Sequence, residues 1–303
     1  MKKLFLLTAA PLLLAAQAAE PLAEPLTPGE VIAATTADDW RPIAPENLLV
    51  MTLGTGEEIY IELAAIFAPV HVTNIRNLAR AGWYDGISIN RVQDNYVVQW
   101  GDASERKPLP ETVDRSAPAE YEFAMTESHI ADFETVQQGN YEPYSGYLEG
   151  WPAAHAPRED GQRSGTLIHC YGMVGVGRGD NPDTGTGAEL YTVIGHAPRH
   201  LDRNIALVGR IVEGIEALSS LPRGTGPLGF YEEAEQRAPI ASVRLASEMP
   251  KAEQPAFEVM RTDSEAFRAF VRARANRTGW FIRPAGAVDV CNVNLPIRRA
   301  EAD

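Results

Sequence analysis

Arg91 and Gln99, in the stretch ISINRVQDNYVVQWGD (87–102), are the side chains whose type and spacing point most directly to chemistry. Apolar and polar residues alternate through Ile87, Ser88, Ile89 and Asn90. A turn-like Asp94-Asn95 follows, then Tyr96-Val97-Val98, closed by Gln99, Trp100, Gly101 and Asp102. This pattern predicts strand, tight turn, strand. Such a hairpin brings Arg91, at the end of its first strand, and Gln99, near the end of its second, onto one surface, with Tyr96 and Val97 between or beside them. A guanidinium is permanently charged and presents a rigid fork of donors. Together with a glutamine amide over an apolar floor it suits a carbonyl compound. An arginine at a strand end is equally an ordinary solvent-facing residue, and the local pattern leaves both readings open.

The elements that must position this hairpin read as mainly β. Residues 48–53 (LLVMTL) and 58–63 (EIYIEL) are strands joined by a glycine-containing turn. Residues 70–81 carry Val70, Ile75, Leu78 and Ala79 at helical spacing, and Gly82 ends the run. His71, at its start, reads as a surface or capping histidine. Residues 103–164 are irregular and rich in Pro, Gly, Glu and Tyr. So long a stretch implies an excursion with some structure of its own, pinned by aromatic residues such as Tyr141, Tyr144, Tyr147 and Trp151. Strands are predicted at 165–177, 189–194, 205–211 and 239–246, with a short helix at 212–221. The loop RGDNPDTGTGA (178–188) lacks the Gly-Lys-Ser/Thr ending of a phosphate loop and the register of a calcium loop. After a connection at 248–262, SEAFRAFVRARAN (264–276) is an amphipathic helix with arginines on its polar face. It reads as packed on the body, the alternative being a helix lying on a membrane. GWFIRP and AVDVCNVNLPI are expected to follow as strands.

The chain has 303 residues, 45% hydrophobic and 22% charged, with a net charge of −14. This is the composition of a globular protein, and its acidity argues against a nucleic-acid partner. Lys2 and Lys3, the apolar run 4–16 and Ala16-Gln17-Ala18 form a signal-peptide pattern, with cleavage expected after Ala18. The alternative is an uncleaved anchor. Residues 19–46, rich in Ala, Pro, Glu and Thr, read as a flexible mature N-terminus, partly docked through Trp40. The two cysteines, Cys170 and Cys291, permit one disulfide in an exported protein, or else are two buried thiols. Bridging them closes a loop worth about 4–5 kcal/mol in the chain-entropy model. No His/Cys cluster has zinc-ligand spacing, and no Gly-x-Ser-x-Gly elbow supports a hydrolase.

Three stretches in order, NRVQDNYVVQWGD (90–102), GRGDNPDTGTGAELYTVIG (177–195) and LDRNIALVGRIVEG (201–214), make residues 48–246 resemble the cyclophilin-type peptidyl-prolyl isomerases. The resemblance implies a closed antiparallel eight-stranded barrel capped by two helices. The organisation expected is a signal peptide (1–18), the N-terminal segment (19–46) and a cyclophilin-like domain (47–247) with an insertion at 103–164. A C-terminal α/β appendage (248–303) completes it, packed on the barrel. It further implies that Arg91 is the catalytic arginine and Gln99 its companion glutamine. Tyr96 and Val97 stand at pocket phenylalanine and methionine positions, Gly177 at the small residue under the peptide, and Arg178 at the peptide-binding position beside it. Tyr191 matches the phenylalanine floor of the proline pocket. His200 falls at a variable tryptophan position, Leu201 on the pocket wall, and Ile205 at a pocket histidine.

The sequence departs from the family pattern at Asn90 (histidine), Trp100 (glycine), Glu189 (glutamine, at a substrate-binding position) and Ile205, which cannot donate a hydrogen bond. The expectation is therefore an exported, periplasmic isomerase acting on X-Pro bonds of polypeptides, with no metal, cofactor or nucleic-acid partner. The other reading of the same departures is a proline-peptide binding or chaperone module with vestigial catalysis.

Overall fold

The computed structural model describes residues 26–139 and 141–300. The expected signal peptide lies outside them. The described residues hold sixteen strands and five α-helices. Along the first half run α1 (Pro28–Ala33), β1 (Trp40–Pro42), β2 (Leu48–Leu53), β3 (Glu58–Leu63), α2 (Pro69–Arg80), β4 (Ser88–Val92) and β5 (Val97–Gly101). The expected excursion holds β6 (Phe123–Ala124), α3 (Glu127–Asp132), β7 (Glu134–Gln137), β8 (Tyr144–Leu148), β9 (Trp151–Pro157) and β10 (Arg163–Leu167). Then come β11 (Met173–Val176), β12 (Leu190–Val193), β13 (Leu207–Glu213), α4 (Ile215–Ser219), β14 (Ala238–Leu245), β15 (Phe257–Met260), α5 (Glu265–Ala275) and β16 (Ile297–Arg299).

Eight strands close a barrel in the order β11-β12-β5-β4-β14-β2-β3-β13, and β11 pairs β13 to complete the ring. All its pairings are antiparallel. The period-2 alternation of its strands sorts side chains between the interior and the outer face. On β5, Val98 and Trp100 point into the barrel core, while Val97 joins an outer cluster with Tyr191 and Val193. Trp100, 1% exposed, thus fills barrel interior. Helix α2 caps the barrel with Val72, Ile75, Leu78 and Ala79, all buried and spaced by three or four residues.

The excursion forms its own five-stranded sheet, in the order β6-β10-β9-β8-β7. His71 helps dock it. This side chain is wholly buried rather than at the surface: Nδ1 lies 2.7 Å from Glu120 Oε2 and Nε2 lies 3.1 Å from the Thr184 carbonyl. The apolar face counted for α2 concealed this, because a histidine on that face is buried only if another segment brings it a partner. Residues 165–177 are two strands rather than one. Gly172, at φ 82°, turns the chain between β10, in the excursion's sheet, and β11, in the barrel.

The N-terminal segment differs from the flexible tail expected. Thr27 and Glu30 form a capping box on α1, and β1 pairs with β15, which pairs with β16. Trp40 is buried with Phe267 and Phe270 of α5. The apolar face of α5 is thereby occupied by the body. Cys170 and Cys291 are joined in a disulfide. The strands expected in GWFIRP and AVDVCNVNLPI do not form: Val290–Asn292 is a short 3-10 helix, and β16 shares only Ile297 with the second run. Trp280 and Ile282, on one face of GWFIRP, are 88% and 95% exposed, and Phe281, on the other, is 39% exposed, so neither face is covered and no ladder forms.

One buried network ties barrel, excursion and N-terminal segment together. Arg210 on β13 donates through Nε and Nη2 to Glu62 Oε2 on β3 (2.9 and 2.5 Å) and through Nη1 to the Gly150 carbonyl (2.6 Å). Its guanidinium lies 4.4 Å from the Trp151 ring. Arg41 on β1 donates to Glu62 Oε1 at 2.8 Å. Removing one partner of a buried pair leaves the other charge uncompensated. Glu62→Ala is expected to cost about 3–5 kcal/mol, read as a lower urea midpoint with an unchanged slope.

Candidate active site

Four strands carry the site. Register places Arg91 (β4) opposite Gln99 (β5), Gln99 opposite Tyr191 (β12), and Tyr191 opposite Gly175 (β11). These residues form one row across the outer face of the barrel. The missing side chain of Gly175 makes the row possible, since a Cβ there would lie 2.4 Å from the Tyr191 ring. The tyrosine lies down over β11, and its hydroxyl reaches His169 Nε2 at 2.9 Å. His169 Nδ1 in turn lies 2.8 Å from Asp202 Oδ1, and Arg199 pairs with the same carboxylate. Burial pushes the Tyr191 hydroxyl far above its usual range, so it stays neutral. Tyr191 is a hydrogen-bonded floor, fixed from below.

The cavity above this row has a volume of about 550 Å³. Arg91, Gln99, Tyr96, Val97, Gly177, Arg178, Tyr191, Leu201 and Ile205 line it, together with residues the sequence did not single out, among them Val176, Asp180, Leu228 and Phe230. Two other expected contacts lie outside the wall. His200 is exposed and stacks on Tyr96, with ring centroids 6.2 Å apart. Glu189 sits behind Gln99 and accepts from its Nε2 at 3.0 Å.

Arg91 is half-buried and held at three points. Nε donates to the Leu228 carbonyl (2.7 Å), Nη1 to Gln99 Oε1 (3.0 Å) and Nη2 to Gln93 Oε1. The Tyr96 and Phe230 rings flank the guanidinium at 5.6 and 5.4 Å. All three acceptors are neutral. Burial lowers the arginine's pKa, which the nearby Glu189 carboxyl opposes in part, and it remains a cation. A guanidinium has five N–H donors, so two remain for a ligand carbonyl or nitrogen. At Asn90, where the family carries histidine, the side chain is buried and donates to the Gly101 carbonyl (3.1 Å), joining β4 to β5 rather than facing the cavity. Arg178 donates to the Asn204 carbonyl (3.1 and 3.0 Å) and to the Gly179 carbonyl (2.7 Å), forming the far rim. In the adjacent loop the amides of Gly179 and Gly185 donate to Asp183 (2.6 and 2.9 Å). Those amides are thus taken internally rather than left for a phosphate.

The arginine with two free donors thus stands beside the apolar wall of Tyr96, Val97, Tyr191, Leu201 and Ile205 on the outer face of a closed barrel. The sequence profile described as "Cyclophilin type peptidyl-prolyl cis-trans isomerase/CLD" matches residues 48–246, and the chain belongs to that family. Relatives include a protein of Brucella suis named "Probable peptidyl-prolyl cis-trans isomerase", 24% identical over 200 residues, 66% of this chain and 81% of that one. One of the same name from Brucella abortus is 23% identical over the same extent. The crystal structure of cyclophilin AquaCyp293 from Hirschia baltica matches with a TM-score of 0.71 at 26% identity, covering 92% of this chain and 99% of that one. That match extends well beyond residues 48–246.

Burial raises the Glu189 carboxyl above its ordinary range, and the bond from Gln99 opposes this only in part. A carboxyl whose folded pKa is raised favours the folded state below the unfolded pKa, and that contribution is lost as pH rises through the folded pKa. Glu189→Gln removes the charge and keeps an acceptor for Gln99. The variant is expected to be more stable than the parent at pH 7. The difference should shrink to nothing as pH falls through the carboxylate range, checked by thermal unfolding across pH 4–8.

Proposed function

We propose that the protein accelerates cis-trans exchange of X-Pro bonds in exported polypeptides, in the periplasm, by stabilising the twisted amide with Arg91. Rotation about an X-Pro bond has a barrier of roughly 18–20 kcal/mol because the C–N bond is partly double. Conjugation is lost at the twisted transition state, and the prolyl nitrogen becomes pyramidal and basic. A guanidinium aimed at that nitrogen or its neighbourhood favours the twisted state over both planar isomers, which is the differential binding that catalysis requires. The observation that carries this reading is the three-point anchoring of Arg91 with two donors left over. The cation is preorganised, so no reorganisation is needed as the amide twists.

Tyr96, Val97, Tyr191, Leu201 and Ile205 hold the proline ring while the carbonyl side rotates. Gln99 orients the arginine. The chemistry calls for no covalent intermediate, general base, metal or cofactor. Slow prolyl isomerisation limits many folding reactions, which gives the activity a use where exported chains fold. The signal-peptide pattern at 1–18 supports that location.

A specific observation favours the second reading, a binding module with vestigial catalysis: Ile205, on the pocket wall, has no hydrogen-bond donor where the family carries histidine. Cis-trans exchange of a short X-Pro peptide, followed by NMR for the mature protein and its Arg91→Ala variant, separates the two. The expected outcome is acceleration by the parent and a fall in kcat/KM of about 10²–10³-fold in the variant. Binding shifts without acceleration in the parent would instead establish recognition alone.

A further inference from the structure

Residues 222–231, PRGTGPLGFY, run from the end of α4 along β4. This strap is built in place. Gly224 N–H donates to the Val92 carbonyl and Tyr231 N–H to the Asn90 carbonyl, both at 2.9 Å, pinning it to β4 at two points. Gly226 N–H donates to the Phe230 carbonyl at 3.0 Å, closing the bend. Tyr231 Oη donates to the Pro222 carbonyl at 2.5 Å, and Arg223 pairs with Asp94 across the β4–β5 turn. A Cβ on Gly224 would lie 2.0 Å from the Gly229 carbonyl, and one on Gly229 would lie 2.7 Å from Gln93 Cα. Gly224 is therefore needed for the strap to fold back on itself, and Gly229 for its close approach to the chain just beyond β4.

At the apex Leu228 adopts φ 57°, ψ 16°, the left-handed region. That conformation disfavours a leucine and suits Gly or Asn. It aims the Leu228 carbonyl at Arg91 Nε and leaves the side chain 66% exposed, beside a Phe230 that is 37% exposed. Both line the same cavity as Arg91. Neither the turn nor the core accounts for an apolar side chain at 228. Two apolar groups fixed by a rigid strap at the mouth of a binding cavity are already ordered, so a ligand side chain meets them at little further entropic cost.

We infer that Leu228 and Phe230 form a second apolar subsite, outside the proline pocket, that takes an apolar side chain flanking the proline in the substrate. A proline seated on Tyr191 and Val97 lies mid-row. The chain leaving it past Arg91 must cross the strap, and the chain leaving by the opposite end meets Gly177, Arg178 and Asp180. The enzyme therefore selects proline bonds with an apolar neighbour on the Arg91 side. In an exported chain such sequences lie in segments that are exposed only before folding completes. This inference rests on the proposal that the groove binds proline peptides.

The test uses two peptide series, one varying the residue before proline and one the residue after it, each with Ala, Lys and Leu. The mature parent, Leu228→Asn and Phe230→Leu are compared by NMR, reading both exchange rate and peptide Kd. Asn suits the left-handed turn and retains the carbonyl that holds Arg91, so the backbone is preserved. In one series the parent should prefer Leu over Lys by about three- to tenfold in kcat/KM. Leu228→Asn should bring that ratio close to one, and Phe230→Leu should keep most of it. A parent that accelerates exchange with no such preference in either series, or a preference that survives Leu228→Asn, overturns the subsite. If the parent accelerates nothing, isomerisation fails and the same Leu-to-Lys ratio in Kd decides the subsite separately.

Discussion

A single buried carboxylate, Glu62, is the junction on which the architecture depends. It lies on a barrel strand, yet its two oxygens are shared between Arg210 of the barrel and Arg41 of the N-terminal segment, and Arg210 also reaches Gly150 of the excursion. Three parts of the chain that are far apart in sequence thus meet at one charge. Apolar packing alone would allow these surfaces to slide, because hydrophobic contact is non-directional. A forked guanidinium on a carboxylate has a fixed geometry and sets how the excursion and the N-terminal strand sit on the barrel. The stacking of Arg210 on Trp151 carries the same constraint into the excursion's β9.

The site follows a related logic with the signs rearranged. At Glu62 charge is neutralised, whereas at Arg91 it is conserved. The direct acceptors of Arg91 are two amides and a backbone carbonyl, so the cation keeps its full charge toward the cavity. Glu189 is separated from it by Gln99, whose oxygen faces the arginine and whose nitrogen faces the glutamate. The glutamate therefore fixes which way round the Gln99 amide sits, a role that a glutamine at 189 would share between two orientations. On the other side of the row, Asp202 and His169 act on the floor through Tyr191 and do not reach the cavity.

Much of the barrel was legible in the sequence, because its strands obey the two-residue alternation and its turns carry glycine or Asp-Asn. Residues 48–53 and 58–63 are strands as read, and the 87–102 hairpin carries Arg91 and Gln99 on adjacent strands. The row Arg91–Gln99–Tyr191 needs strand order as well, which the family resemblance supplied and local pattern did not. The strap was not legible. Its residues are a glycine-rich run with no periodicity, and the sign of φ at Leu228 is set by contacts to β4. The burial of His71 and the ordering of residues 26–46 were hidden for a common reason: each depends on a segment distant in sequence, Glu120 for the histidine and β15 for β1. The strand expected in GWFIRP fails conversely, having suitable residues but no partner edge.

The pairing of Trp40 with Met260 imposes an order of assembly. On a chain synthesised from the N-terminus at roughly 5–20 residues per second, Trp40 waits some tens of seconds for its partner strand. Every residue of the barrel and of the groove precedes β15, so the catalytic face can be completed while both ends of the molecule are still loose. The β1–β15 ladder then acts as a clasp, joining the N-terminal segment to the part of the chain that follows the barrel. Opening that clasp frees the N-terminal strand alone, because the Cys170–Cys291 bridge still holds the C-terminal side to the segment that leads into β11.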